Sequence, residues 1–150
     1  IFGMIYKDGV GVAIGENALL GKTPSFVGWN TDPSGDVANL TDGNPATVMT
    51  SGSKTLGAGW QYAFINFTVP NGIYLIGGAG KIACVGASGF IYITSPTGYD
   101  NVDSVGNEDI HYFTPTYALI DGNTIQFSLT ADGASTITPS INEVWAIRLA

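Results

Sequence analysis

The sequence predicts an all-β fold, a two-sheet antiparallel sandwich of the jelly-roll kind, on three observations. No window of about a dozen residues keeps apolar side chains at three-and-four spacing without a Gly, Pro or Asn breaking it, so helical periodicity is almost absent. Two stretches alternate with period two: Ala63, Ile65, Phe67 and Val69 against Tyr62, Phe64, Asn66 and Thr68, then Ile125, Phe127 and Leu129 against Thr124, Gln126, Ser128 and Thr130. Turn signals recur between apolar runs, among them Lys7-Asp8-Gly9, Pro70-Asn71-Gly72, Pro96-Thr97-Gly98 and Asp121-Gly122-Asn123. Many short strands punctuated in this way suit a sandwich.

In chain order, the apolar runs place strands at residues 2–6, 10–14, 25–29, 62–69, 73–76, 82–85, 90–94, 110–113, 117–120, 124–130 and 144–149. The first two make a hairpin about Lys7-Asp8-Gly9, so residues 1–16 read as an N-terminal extension and residues 17–150 as the sandwich domain. Phe2, Met4, Ile5 and Tyr6 leave few polar groups to face water. Such an arm either extends a sheet of its own domain or adds a strand to a neighbour's edge, and the second use implies a homo-oligomer or larger assembly. Residues 77–81 read as a hairpin turn. Their Gly78-x-Gly80-x-x-Ala83 pattern echoes a dinucleotide loop but lacks the helix whose N-terminus would meet the pyrophosphate.

Composition narrows the function classes. The 150 residues are 45% apolar and only 11% charged, with a net charge of −7, so this is a chain that buries a core rather than a disordered one. No basic run exists to neutralise a phosphate backbone, which argues against a nucleic-acid partner. No apolar run reaches the roughly 18 residues that span a bilayer. Cys84 sits alone in an apolar run and reads as a small core hydrophobe.

Catalytic patterns are weak. His111 is the sole histidine and has no Ser or Cys in an activating motif beside it. Ser88 lacks the second flanking glycine of a nucleophile elbow at the required distance, and Asp100, Asp103, Glu108 and Asp109 read as a solvated acidic loop. A non-enzymatic binding module is therefore expected. Aromatic rings are the natural partners of sugar faces, and the candidates are Trp29, Trp60, Tyr62, Tyr74, Tyr92 and Tyr99. Trp29 and Tyr99, next to the loops expected at residues 30–36 and 100–109, are singled out as the ligand platform.

One loop is unusually rich in oxygen: Asn-Leu-Thr-Asp-Gly-Asn-Pro-Ala-Thr, residues 39–47. Glu143 shares the two-residue phase of Trp145, Ile147 and Leu149, so if those three face the core the carboxylate does too. Arg148 has the opposite phase. A bare buried carboxylate is costly; protonation, an Arg or Lys partner, or a hard cation held by oxygens from the 39–47 loop would compensate. The spacing is not that of an EF-hand, and a plain turn held by Asx hydrogen bonds accounts for the same residues.

Residues 18–26, 38–47, 60–67 and 141–145, in that order, resemble the galactose-binding-like or discoidin superfamily, which includes coagulation-factor C-type domains and related carbohydrate-binding modules. The resemblance covers about residues 17–150, and its most specific element is Asp42-Gly43-Asn44-x-x-Thr47 with a late Asn142-Glu143. It implies a jelly-roll sandwich and a structural Ca²⁺ site. The implied ligands are the Asp42 carboxylate, Asn44, Thr47 through hydroxyl and carbonyl, the Glu143 carboxylate, and the carbonyls of Asn39 and Asn142. The sequence departs from the family where Val48 and Met49 stand in place of a Trp, and where paired sugar-binding Arg or His residues have no counterpart beyond Arg148 and His111. The expected function is a glycan-binding or adhesion module, extracellular or on a virion surface. A structural or decoration subunit of a larger particle or filament is the alternative.

Overall fold

Short strands arise wherever apolar residues alternate with polar ones between Gly, Pro and Asn turns, and the chain contains little else. The computed structural model describes residues 2–93 except 8 and 9, then 98–101 and 111–150, with residues 2–14 and 98–101 known by their backbone. The strands are β1 (Phe2–Lys7), β2 (Val10–Glu16), β3 (Ser25–Val27), β4 (Lys54–Leu56), β5 (Ala63–Thr68), β6 (Gly72–Ala83), β7 (Gly89–Ile93), β8 (Gly98–Asn101), β9 (Thr116–Ile120), β10 (Thr124–Ala131) and β11 (Ser135–Arg148). One 3-10 turn, Val37–Leu40, interrupts them. No helix among the described residues is long and apolar enough to cross a membrane.

Two sheets face one another, a five-stranded one in the order β3-β5-β10-β7-β8 and a four-stranded one in the order β4-β11-β6-β9, and all their pairs are antiparallel. From β3 onward each connection crosses to the opposite sheet, except the β7–β8 hairpin. The expected all-β sandwich is therefore the observed fold. Among the described residues β1 and β2 pair only with each other, as a separate two-stranded sheet lying against β11.

The two alternating stretches behave as their pattern dictates. Ala63, Ile65 and Phe67 of β5 and Ile125, Phe127 and Leu129 of β10 face the opposite sheet and are fully buried there. The Phe67 and Phe127 rings meet edge to face at 6.1 Å. Cys84 is buried, as expected, and its thiol donates to the Ala87 carbonyl at 3.1 Å.

Three sequence expectations need correction. Residues 77–81 are not a turn but the middle of β6, a continuous 12-residue strand. The glycines there permit close approach instead: a Cβ at Gly77 would run into the Trp145 indole, and one at Gly78 into the Glu143 carbonyl and the Phe113 ring. The final strand is also longer than expected, 14 residues from Ser135 instead of starting at residue 144. Pro139 obscured its first half, yet Pro139 lies between the β4 pairing at 135–137 and the Met49 bridge at 141, where β11 has no partner on that edge.

The third correction concerns phase. The β11 register against β6 shifts between Ile141 and Glu143, leaving Asn142 as the extra residue of a bulge. Beyond it Val144 and Ala146 enter the main core, while Trp145 and Ile147 join Leu75 in a small second cluster. Trp145 and Ile147 thus occupy the far face of the sheet, where Gly15 meets Ile147, and Leu149 is half exposed to solvent.

The close approach gives a test. Gly77→Ala forces the Trp145 indole aside and should lower unfolding stability by about 1–3 kcal/mol in chemical denaturation. Gly122→Ala, where the new methyl meets nothing within 4 Å, should stay within about 0.5 kcal/mol of the parent.

Candidate functional site

The outward face of the five-stranded sheet is where alternation produces something unusual. Positions whose phase points away from the core normally carry polar residues in an antiparallel sheet. Here they carry Tyr62 and Phe64 at β5 and Phe90 and Tyr92 on β7, all half-buried. Between them Ser128 of β10 stands opposite Phe64 on one side and Tyr92 on the other. Ser128 is almost completely buried and forms the floor.

The rings order one another. Tyr62 stacks on Phe64 at 5.8 Å and 22°, and meets Tyr92 edge-on at 6.1 Å. Trp60 leans on Phe90 at 6.3 Å and is 56% exposed, the largest exposed ring of the group. The Thr130 hydroxyl holds this lip in place by donating to the Gln61 carbonyl. Beside the rings, Gln126 donates to Asn66 at 3.0 Å, leaving an amide pair at the margin. No residue of β3, β5, β7 or β10 is charged. The result is an uncharged surface of ring faces with hydroxyl and amide groups among them, suited chemically to a neutral ligand with both C–H and O–H faces.

Of the two residues singled out in the sequence, Tyr99 lies on β8 in register with Tyr92. Trp29 is placed differently. It is half-buried, its indole N–H donates to the Phe64 carbonyl at 2.9 Å, and its ring meets Phe26 edge-on at 6.0 Å. It braces β5 and packs against the core. Phe64 and Phe90 were missed as site residues, although aromatic residues in the outward phase of an otherwise regular strand were the available signal.

The oxygen-rich loop runs beside β11 at its bulge. Asp42 accepts from the Asn44 N–H at 2.8 Å and from the Thr47 hydroxyl at 2.7 Å, and the same hydroxyl lies 2.8 Å from the Asn44 carbonyl. The Asn44 side chain accepts from the Ala46 N–H at 3.0 Å. These are the Asx bonds of a tight turn, with Gly43 at φ 75° supplying the left-handed step. Asn39 donates to the Val48 carbonyl, and the Asn142 side chain crosses from the bulge to the Pro45 carbonyl at 2.9 Å. Paired bonds between Met49 and Ile141 complete the seam.

Glu143 is 6% exposed, whereas Asp42 is exposed. No three His, Cys, Asp or Glu side chains gather into a metal cluster among the described residues. A cation here would depend on Asp42 and Glu143 supplemented by hydroxyl, amide and carbonyl oxygens, a donor set of the hard kind. Of the other residues weighed, Asp100 lies on β8, and residues 103, 108 and 109 fall outside the described residues.

Next to this loop, Asp36 anchors the neighbouring turn. Its carboxylate accepts from the N–H groups of Thr50 at 2.7 Å and Ser51 at 3.2 Å, and from both their hydroxyls. Desolvation pushes its pKa up, but these bonds outweigh it and hold the carboxyl below its usual value. A cleft of about 380 Å³ opens between residues 21–23 and the segment 35–42, lined by Lys22, Thr23, Val37, Ala38, Thr41 and Asp42 among others.

No family model matches the chain, and no curated protein matches it. Among solved structures, the chain is similar to one described as CpGH89CBM32-4, selenomethionine-labelled, produced by Clostridium perfringens. The two share 17% identity over 87% of this chain and 98% of that one, with a TM-score of 0.36.

The Asp36 anchor predicts an acid-sensitive step. Because its folded pKa is depressed, its contribution to stability is present above the unfolded value near 3.9 and is lost as pH falls through the folded value. Urea melts between about pH 5 and pH 2 should show Asp36→Asn less stable at the upper end, and the gap from the parent closing toward the lower end.

Proposed function

We propose that this chain is a non-enzymatic carbohydrate-binding module whose ligand lies across the outward aromatic face of the five-stranded sheet. The observation that carries this reading is the group Trp60, Tyr62, Phe64, Phe90 and Tyr92 around Ser128, with no charged residue on the four strands beneath it. The C–H face of a pyranose ring packs on such rings, and its hydroxyls exchange bonds with the Gln126–Asn66 pair. An outward-facing location, extracellular or on a virion surface, goes with this function.

A structural Ca²⁺ belongs to the same reading. The all-oxygen donor set of Asp42, Asn44, Thr47 and Glu143, with the Asn39 and Asn142 carbonyls, supports it, as does the buried position of Glu143 beside a seam already tied to the loop. Bound there, the ion supplies charge neutralisation and cross-linking rather than chemistry, while the protein's own bonds through Asn142 and Met49 set the approach of loop and strand. The separate β1–β2 sheet favours a second reading, a structural subunit that packs through its N-terminal arm.

Two experiments test these readings. On a glycan array the parent should bind a neutral glycan, and Trp60→Ala and Tyr92→Ala should each weaken it about five- to tenfold, since one stacked ring contributes about 1–1.5 kcal/mol. Binding unaffected by both variants, or no binding with ordered self-association instead, rejects the first reading. Saturating Ca²⁺ against chelator should raise the melting temperature by about 5 °C or more, and Asp42→Ala should abolish the difference. An identical melting temperature in both conditions rejects the ion.

A further inference from the structure

β5 and the residues leading into it carry a period-two strip, Trp60, Tyr62, Phe64 and Asn66, with the exposed Thr68 next in phase. Tyr62 and Phe64 are inclined at only 22°, with 5.8 Å between ring centroids. Rings piled face to face would bring their carbons to about 3.5–4 Å, so these two are offset along the strand. The rings of β7 take another attitude. Tyr92 meets Tyr62 at 80° and Phe90 meets Trp60 at 62°, forming a rail beside the strip. On the other flank Val27 of β3, 53% exposed, stands in register with Phe64, and the exposed Ser25 with Asn66. Near-parallel rings therefore run along β5 and not across the sheet.

Distances along the strip set the size of what fits it. A strand rises about 3.4 Å per residue, which puts Asn66 about 14 Å from Tyr62, with Trp60 farther on. A pyranose built of bonds near 1.5 Å, with its linking oxygen, advances a chain by about 5 Å. One sugar cannot reach both the Gln126–Asn66 amide pair and Trp60, whereas three or four in line can. The 5.8 Å between Tyr62 and Phe64 is close to the same advance, one ring for each sugar.

Neither end of the strip is walled among the described residues. Beyond Asn66, Thr68 pairs with Thr124 and both are exposed. Before Trp60 come Gly57, Ala58 and Gly59, small and exposed, and a Cβ at Gly59 would meet nothing within 4 Å. A site that selects one sugar or a chain end encloses it, burying most of its surface. An open strip lets the chain continue past both ends.

From this geometry, and resting on the glycan reading, we infer that the strip binds the interior of an extended, uncharged polysaccharide, with about three or four consecutive residues lying along β5. Each ring contact is modest by itself, so affinity accumulates over successive sugars. The absence of charge on β3, β5, β7 and β10, in a chain of net charge −7, favours a polysaccharide without carboxylate or sulfate groups.

Calorimetry of the full chain with neutral gluco-, manno-, galacto-, xylo- and N-acetylchito-oligosaccharides, each from monomer to hexamer, reads the footprint. In a series that binds, affinity should rise about fivefold per residue from monomer to trimer and level off by the tetramer or pentamer. Trp60→Ala, at an exposed position, should leave the circular dichroism unchanged and bring the plateau one residue earlier, whereas Tyr62→Ala should lower affinity at every length. With polymers of the same sugar, the amount of protein bound per unit mass should not change with chain length, because interiors and not ends are counted. A monosaccharide bound as tightly as a tetrasaccharide, binding in proportion to chain ends, or a plateau unmoved by Trp60→Ala overturns the inference and leaves the glycan reading standing. No binding in any series at any length removes the glycan reading and this inference with it.

Discussion

The antiparallel ladder between β6 and β11 is the constraint on which the rest of this sandwich depends. It runs from Tyr74–Arg148 to Ala83–Thr138 and is the longest pairing among the described residues. Its tolerance for glycine in the middle of a long strand looks like a weakness, since glycine loses the most backbone freedom on ordering. The gain is space: the Trp145 indole lies across Gly77, and the Phe113 ring comes against Gly78. One bulge then determines which residues enter which layer. With Asn142 extruded, Val144 and Ala146 reach the main core and Trp145 turns to the far face.

The same bulge organises the loop seam. An unpaired Asn142 is free to reach sideways, and its amide finds the Pro45 carbonyl 97 positions earlier in the chain. Met49 pairs with Ile141 at the adjoining step, so the 39–47 loop is fixed by backbone bonds on one side and by its own Asx bonds on the other. Loops held this firmly serve as foundations for binding surfaces, since a ligand then need not supply the entropy of ordering them. Asp36 does the equivalent for the neighbouring turn, gathering Thr50 and Ser51 onto one carboxylate.

The two outer faces are chemically distinct. The five-stranded sheet presents rings with hydroxyl and amide groups among them, whereas the four-stranded sheet presents an aliphatic patch with one tyrosine on its outer face. Rings with polar neighbours suit a ligand that is half polar and exchangeable, and a patch of aliphatic side chains suits permanent or self-complementary burial. With only 11% of residues charged, neither face is defended by electrostatics, so shape and local polarity select what each one meets.

By itself the sequence determined the all-β class, because period-two alternation and frequent Gly, Pro and Asn leave no helix to form, and β5 and β10 were legible to within a residue from their alternation. It also exposed the self-contained chemistry of the 39–47 turn, since Asx bonds act between residues two apart. The rest needed tertiary structure. Gly77 and Gly78 carry the same letters in a turn as in a strand with an indole lying across it, and only the position of Trp145 distinguishes the two. The bulge at Asn142 inverted the phase that alternation assigned to the last strand, because register is decided by the partner strand and not by the strand's own pattern. The aromatic face likewise exists only when β5, β10 and β7 lie side by side: Tyr62, Ser128 and Tyr92 are distant in sequence, and hydrogen bonding across the sheet makes them neighbours.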